Sequence, residues 1–267
     1  MMTRRTVMTS ATAAAMPAVV TANTDRPMAS GFKVLPADAR GMADHGWLKS
    51  AHSFSFANYF NPDYVQFESL RVINDDRVAP GMGFPAHPHQ NAEIFSYVLD
   101  GKLEHKDSMG YGSRVEAGGV QYMSAGSGVR HSEYNPSPDY PVHFLQIWLI
   151  PNVENGEPRY DTMDIKDADK DGQLKLFLSP DGRNGSMKIS ADADIYAATL
   201  NGDQVIEASI TPGHKGWVQM ARGALTVNGQ RLEVGDGLAI NTAGRLEFTD
   251  GEDAEFILFD LAPYGQA

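Results

Sequence analysis

The chain has 267 residues, 42% of them hydrophobic, a formal net charge of −12 and no cysteine. That size predicts one large or two smaller globular domains with enough apolar material for a core. The acidic balance argues against nucleic acid and anionic membranes as partners. The lack of cysteine excludes disulfides, thiolate metal sites, iron–sulfur clusters and a cysteine nucleophile.

The chain opens with Arg4 and Arg5, then an uncharged, alanine-rich stretch to Ala22 that ends in a small-x-small pattern. Residues 1–22 read as a twin-arginine signal peptide, too short and too weakly apolar to span a membrane, and predict a periplasmic or exported protein rather than a cytoplasmic one. Residues 23–31 follow as a linker. Beyond them, strand and turn signals dominate. Apolar, β-branched or aromatic runs at 94–99, 144–150, 195–200 and 255–261 are of strand length. Asp100-Gly101, Asn201-Gly202, Asn228-Gly229, Asp236-Gly237 and Asp250-Gly251 are turn dipeptides, and residues 224–234 form a hairpin pattern around Asn228-Gly229. No long segment carries a 3.6-residue period. The fold class is therefore all-β, a barrel or sandwich of the jelly-roll kind. A polar stretch at 152–172, rich in Asp, Glu, Gly and Pro, divides one β domain at 32–151 from a second at 173–267. Within it, Asp167, Asp169 and Asp171 imitate the opening of a calcium loop, but Leu178 stands where the closing carboxylate belongs.

Chemistry concentrates in the first domain. His87 and His89 form an H-x-H pair, and His131 and Glu133 an H-x-E pair. Side chains two apart on a strand share a face, so two such strands would converge three imidazoles and a carboxylate. That donor set suits a divalent transition metal, not Ca²⁺ or Mg²⁺. Pro88 suits a strand start or edge, and the glycines before His131 permit a bend that turns it inward. Glu93 has the same parity as the first pair and competes with Glu133 for the fourth position. On the same alternation Phe95 and Tyr97 read as core filling. His105 sits in a polar run and reads as solvated, His143 as structural, and His45 and His52 as isolated. His214 alone follows the linker, so the second domain cannot repeat the site.

The stretch from Gly81 through His87, His89 and Glu93 resembles the first cupin motif, and that from Gly128 through His131 to Asn135 resembles the second. The segments 87–93, 97–101, 104–109 and 123–133 are similar to the pirin family, above all to its bacterial two-cupin members with quercetinase activity. The likeness continues through 146–151, 176–185 and 217–240. It implies two tandem cupin barrels with metal only in the first, held by His87, His89, His131 and Glu133, with Glu93 nearby as a hydrogen-bonding group. It implies one divalent transition metal, Fe²⁺ before other ions. The implied reaction is dioxygenase opening of a flavonol such as quercetin, with Glu133 taking the substrate's proton. The partners are then a small aromatic substrate and O₂, with no nucleic acid or membrane, and the protein is expected to act as a monomer. The alternative is a non-enzymatic metal- or redox-sensing pirin that binds a protein partner; a third reading is a cupin isomerase or other small-metabolite enzyme.

Overall fold

The computed structural model describes residues 26–265. The expected signal segment, residues 1–22, lies outside the described residues. The regular structure is almost entirely strand, in three sheets. Among the described residues no helix is long and apolar enough to cross a membrane.

The first barrel faces a seven-stranded sheet against a four-stranded one. The large sheet has at its centre Glu93–Asp100, Val142–Leu149 and Leu70–Val78, all antiparallel. The small sheet runs Gly83–His89, Val129–Tyr134, Lys102–Asp107 and Gly112–Glu116. A nine-stranded sheet forms the second barrel, built around the long strands Lys215–Val227 and Arg245–Leu261. Two barrels of this kind are the bicupin architecture expected from the sequence. The hairpin at 224–234 is present, with Asn228 and Gly229 at φ +45° and +83°, the left-handed pair a two-residue turn needs. Asp250-Gly251 departs from expectation: it lies inside one continuous strand, with Asp250 at φ +52°, and bends that strand rather than ending it.

The units do not follow the expected boundaries. Ser30–Leu35, placed at the junction of linker and first domain, pairs with Gly237–Thr242 and so belongs to the second barrel. The stretch 152–172 is more than a linker. It contains Arg159–Asp164, which extends the first barrel's large sheet beside Gly119–Ser124, and the one-turn helix Asp167–Lys170. A strand at a sheet edge with one face to solvent is polar by nature, so composition hides it.

One apolar cluster runs through both barrels. Phe95 and Tyr97 of the first pack against Phe177 of the second, with ring centroids 5.7 and 6.0 Å apart. Phe54 meets Trp217 at 5.0 Å, and all five side chains are buried. The odd face of Glu93–Asp100 thus fills the inter-barrel core. Its even face, with Ser96, looks into the first barrel, where the candidate site lies.

Candidate metal centre

Gly83–His89 and Val129–Tyr134 are antiparallel neighbours, with His87 opposite His131 and His89 opposite Val129. This register brings three imidazoles together: centroids lie 4.8 Å apart for His87–His89, 4.6 Å for His87–His131 and 4.9 Å for His89–His131. Each offers one nitrogen within 4.8 Å of the others. The register slips between His131 and Glu133. The carboxylate of Glu133 falls in a second group of the same spread, with His131 and His105.

The protonation pattern leaves lone pairs free. His87 Nδ1 donates to the Pro85 carbonyl at 2.8 Å, which leaves Nε2 as the ring nitrogen available to a ligand. His105 Nε2 donates to Asp107 Oδ2 at 3.1 Å, which leaves its Nδ1 to accept from His131 Nδ1, 3.4 Å away. His131 Nε2 is then a bare lone pair, and it is buried without any hydrogen-bond partner. Burial holds the His131 imidazole down at about 2, helped by His87, His89 and His105. Burial, then His87, holds His89 at about 4. A buried nitrogen with no partner, beside two further imidazoles, fits a divalent transition metal and is costly without one.

Glu133 is 1% exposed and accepts from Ser96 Oγ at 3.2 Å, from Gln146 Nε2 at 2.7 Å and from Gln121 Nε2. Burial pushes its carboxyl up to about 7, against the pull of those three donors. A carboxylate offers about four lone-pair sites, so capacity for one more partner remains.

Glu93, the competitor for the fourth position, is elsewhere. Its carboxylate accepts from Tyr122 Oη, from Ser124 Oγ at 2.6 Å and from the backbone N–H of Ser190 in the second barrel at 2.8 Å. Parity along 87–99 assumes one uninterrupted strand. The chain instead breaks at Asn91, φ +50°, and passes from the small sheet to the large one. His105 is likewise not solvated: it is 1% exposed and stacked on Tyr160, centroids 4.2 Å apart. His143 pairs with Asp75 at 2.7 Å, a structural role as expected.

The sequence reading missed a row of polar residues. His52, Asn74, Gln146, Ser96 and Gln121 lie side by side across five adjacent strands of the large sheet. Three of them hold Glu133. Ser96, Gln121 and Gln146 each interrupt an otherwise apolar run, and a polar residue on a core strand is the signal that would have found them.

His87, His89 and Glu133 open onto a cavity of about 610 Å³, walled by Phe56, Phe84 and Trp148 among others. Trp148 stands edge-on to His89 at 4.8 Å. That volume holds a small aromatic molecule.

Residues 35–149 match the pirin family, and residues 176–261 match the quercetinase C-terminal cupin domain. The chain belongs to the pirin family. This pirin is 45% identical over 227 residues to quercetin 2,3-dioxygenase of Escherichia coli K12, covering 85% of this chain and 97% of the relative. It is 40% identical over 228 residues to a pirin-like protein of Caulobacter vibrioides, covering 85% and 98%. Among solved structures it resembles YhhW of Escherichia coli, at 43% identity and TM-score 0.83, covering 88% of this pirin and 100% of that chain. The nickel(II) complex of YhhW matches at the same identity and TM-score, covering 87% and 99%.

Proposed function

We propose that this pirin is a metal-dependent dioxygenase that opens flavonols such as quercetin with O₂. The observation that carries this reading is a buried, unpartnered His131 Nε2 beside two further imidazoles and the buried Glu133 carboxyl, at the edge of an aromatic-walled cavity. The relatives named above support it.

One divalent metal, assigned as Fe²⁺, is held by His87, His89, His131 and Glu133 in this reading. The chemistry it supplies is Lewis-acid activation of a substrate hydroxyl and a place for O₂ beside it. The protein's residues do the rest. Glu133 takes the 3-hydroxyl proton on a carboxylate oxygen, the buried base of the site that stands within reach of the histidine cluster. Ser96, Gln121 and Gln146 hold the carboxylate in place as its charge changes. Phe56, Phe84 and Trp148 sandwich the flavonol and keep water from the electron-rich anion. Addition of O₂ then opens the central ring, both oxygen atoms enter the products, and one carbon leaves as carbon monoxide. The proton ends on the carboxyl group of the ring-opened product.

The test is O₂ uptake by iron-loaded protein across a panel of flavonols. Uptake that depends on the 3-hydroxyl is expected; absence of uptake with every flavonol would overturn the assignment.

Export is also proposed, from Arg4, Arg5 and the uncharged stretch after them. N-terminal sequencing from the native host should find a chain beginning soon after Ala22. An intact amino terminus in the cytoplasm would contradict it.

A further inference from the structure

The polar row across the large sheet has two halves. Gln146, Ser96 and Gln121 are spent on Glu133. The other half, Asn74 and His52, faces the cavity together with the next pair along the same two strands, Asp76 and Ser50. All four are at most 5% exposed. His52 Nδ1 meets Asn74 Oδ1 at 2.7 Å and Ser50 Oγ at 3.3 Å, so three members satisfy one another. Asp76 does not: its Oδ1 is buried with no hydrogen-bond partner. An unpartnered buried carboxylate oxygen costs stability, and a cavity that keeps one among aromatic walls is built for a donor that arrives with a ligand. Burial, with Asp75 and Glu133 adding to it and Ser50 opposing, pushes the Asp76 carboxyl up to about 7.

We propose that Asp76 is the specificity-determining residue of this pocket: its free Oδ1 receives a second hydroxyl of an aromatic substrate whose first hydroxyl meets the histidine–Glu133 cluster. The substrate class is thereby a polyhydroxylated aromatic, not one with a single hydroxyl. This rests on the aromatic-substrate reading of the cavity, but not on turnover. A site built to bond a hydroxyl rejects the analogue lacking it, because its own polar atom is then left bare.

The experiment is anaerobic equilibrium binding of quercetin and of 3-hydroxyflavone to the Ni²⁺-loaded protein. Without O₂, binding is read apart from oxygenation. Wild type should bind quercetin at least about tenfold tighter. Asp76→Leu, close to isosteric, should keep its affinity for 3-hydroxyflavone while the ratio falls to near one. If the leucine variant does not fold, Asp76→Asn answers the same question: it weakens the charge-assisted bond, and the ratio should fall at least about threefold. An unchanged ratio in a folded variant, no preference in wild type, or no binding of either compound overturns the proposal. A preference lost in Asp76→Leu, in a protein that consumes no O₂ with any flavonol, leaves Asp76 as the selector and removes only the dioxygenase reading.

Discussion

Glu133 and Glu93 are both buried carboxylates with three hydrogen-bond donors each, yet only Glu133 stands beside His131. Strand parity left them level, and what separates them is a single backbone angle at Asn91. The imidazoles were legible because H-x-H and H-x-E on strands have few other uses. The amide and hydroxyl groups that hold Glu133 were not, because neutral polar residues on apolar strands carry no motif. Glu133→Gln replaces one accepting carboxylate oxygen by an NH₂ group, which then faces either Gln146 or the Ser96 and Gln121 pair, so metal affinity should drop at least about tenfold and turnover at least about a hundredfold. Metal analysis after dialysis, and O₂ uptake, read the two effects separately. Asp75 allows a pH prediction. Burial raises its carboxyl, but His143, Arg77 and Arg40 outweigh that and hold it at about 2. A carboxyl with a lower pKa in the folded than in the unfolded chain stabilises fully above about pH 4, and that contribution is lost as pH falls through about 2. Urea unfolding at pH 6 and pH 3 should therefore show Asp75→Asn costing about 1 kcal/mol more at the higher pH.

At the scale of elements, the site depends on how closely Gly83–His89 approaches Val129–Tyr134. Gly83 lies where the two strands meet beyond the bulge, against Glu133 and Tyr134. A Cβ there would run into the backbone carbonyl of Glu133 and come within 2.6 Å of the Tyr134 Cα. Gly83→Ala should therefore part the strands, lowering both thermal stability and metal affinity. Titration with Ni²⁺ alongside a melting curve distinguishes that from a purely local effect. The main strands and their turns were readable from alternation and Asn-Gly or Asp-Gly pairs. Arg159–Asp164 was not, because an edge strand needs only one buried face. Its Tyr160 nevertheless lies flat on His105, so a segment that reads as a linker closes one side of the site's surroundings.

For the molecule as a whole, the two barrels share one core and a buried charge cluster. Glu255 accepts from Lys170, from Arg222 at 3.1 Å and from Tyr97 Oη at 2.6 Å, while Arg222 also reaches the Leu99 carbonyl at 2.7 Å. Lys170 is 4% exposed. Neutralising Glu255 leaves that cation buried and uncompensated, so Glu255→Gln should destabilise the protein by roughly 3–5 kcal/mol. A single unfolding transition should persist, since the barrels share their core. That sharing was illegible in the sequence: strand Ser30–Leu35 precedes the first barrel but pairs in the second, and no local pattern announces so distant a partner. The second barrel has no counterpart to the histidine cluster, and its Phe177 and Phe259 back the strand that carries Ser96. The central claim, that this cluster opens flavonols by dioxygenation, is tested most directly by the gas balance of iron-loaded protein given quercetin in air. One molecule of carbon monoxide should be released for each O₂ consumed, and almost none from Glu133→Gln. O₂ consumption without carbon monoxide, or quercetin returned unchanged by the metal-loaded protein, would contradict it.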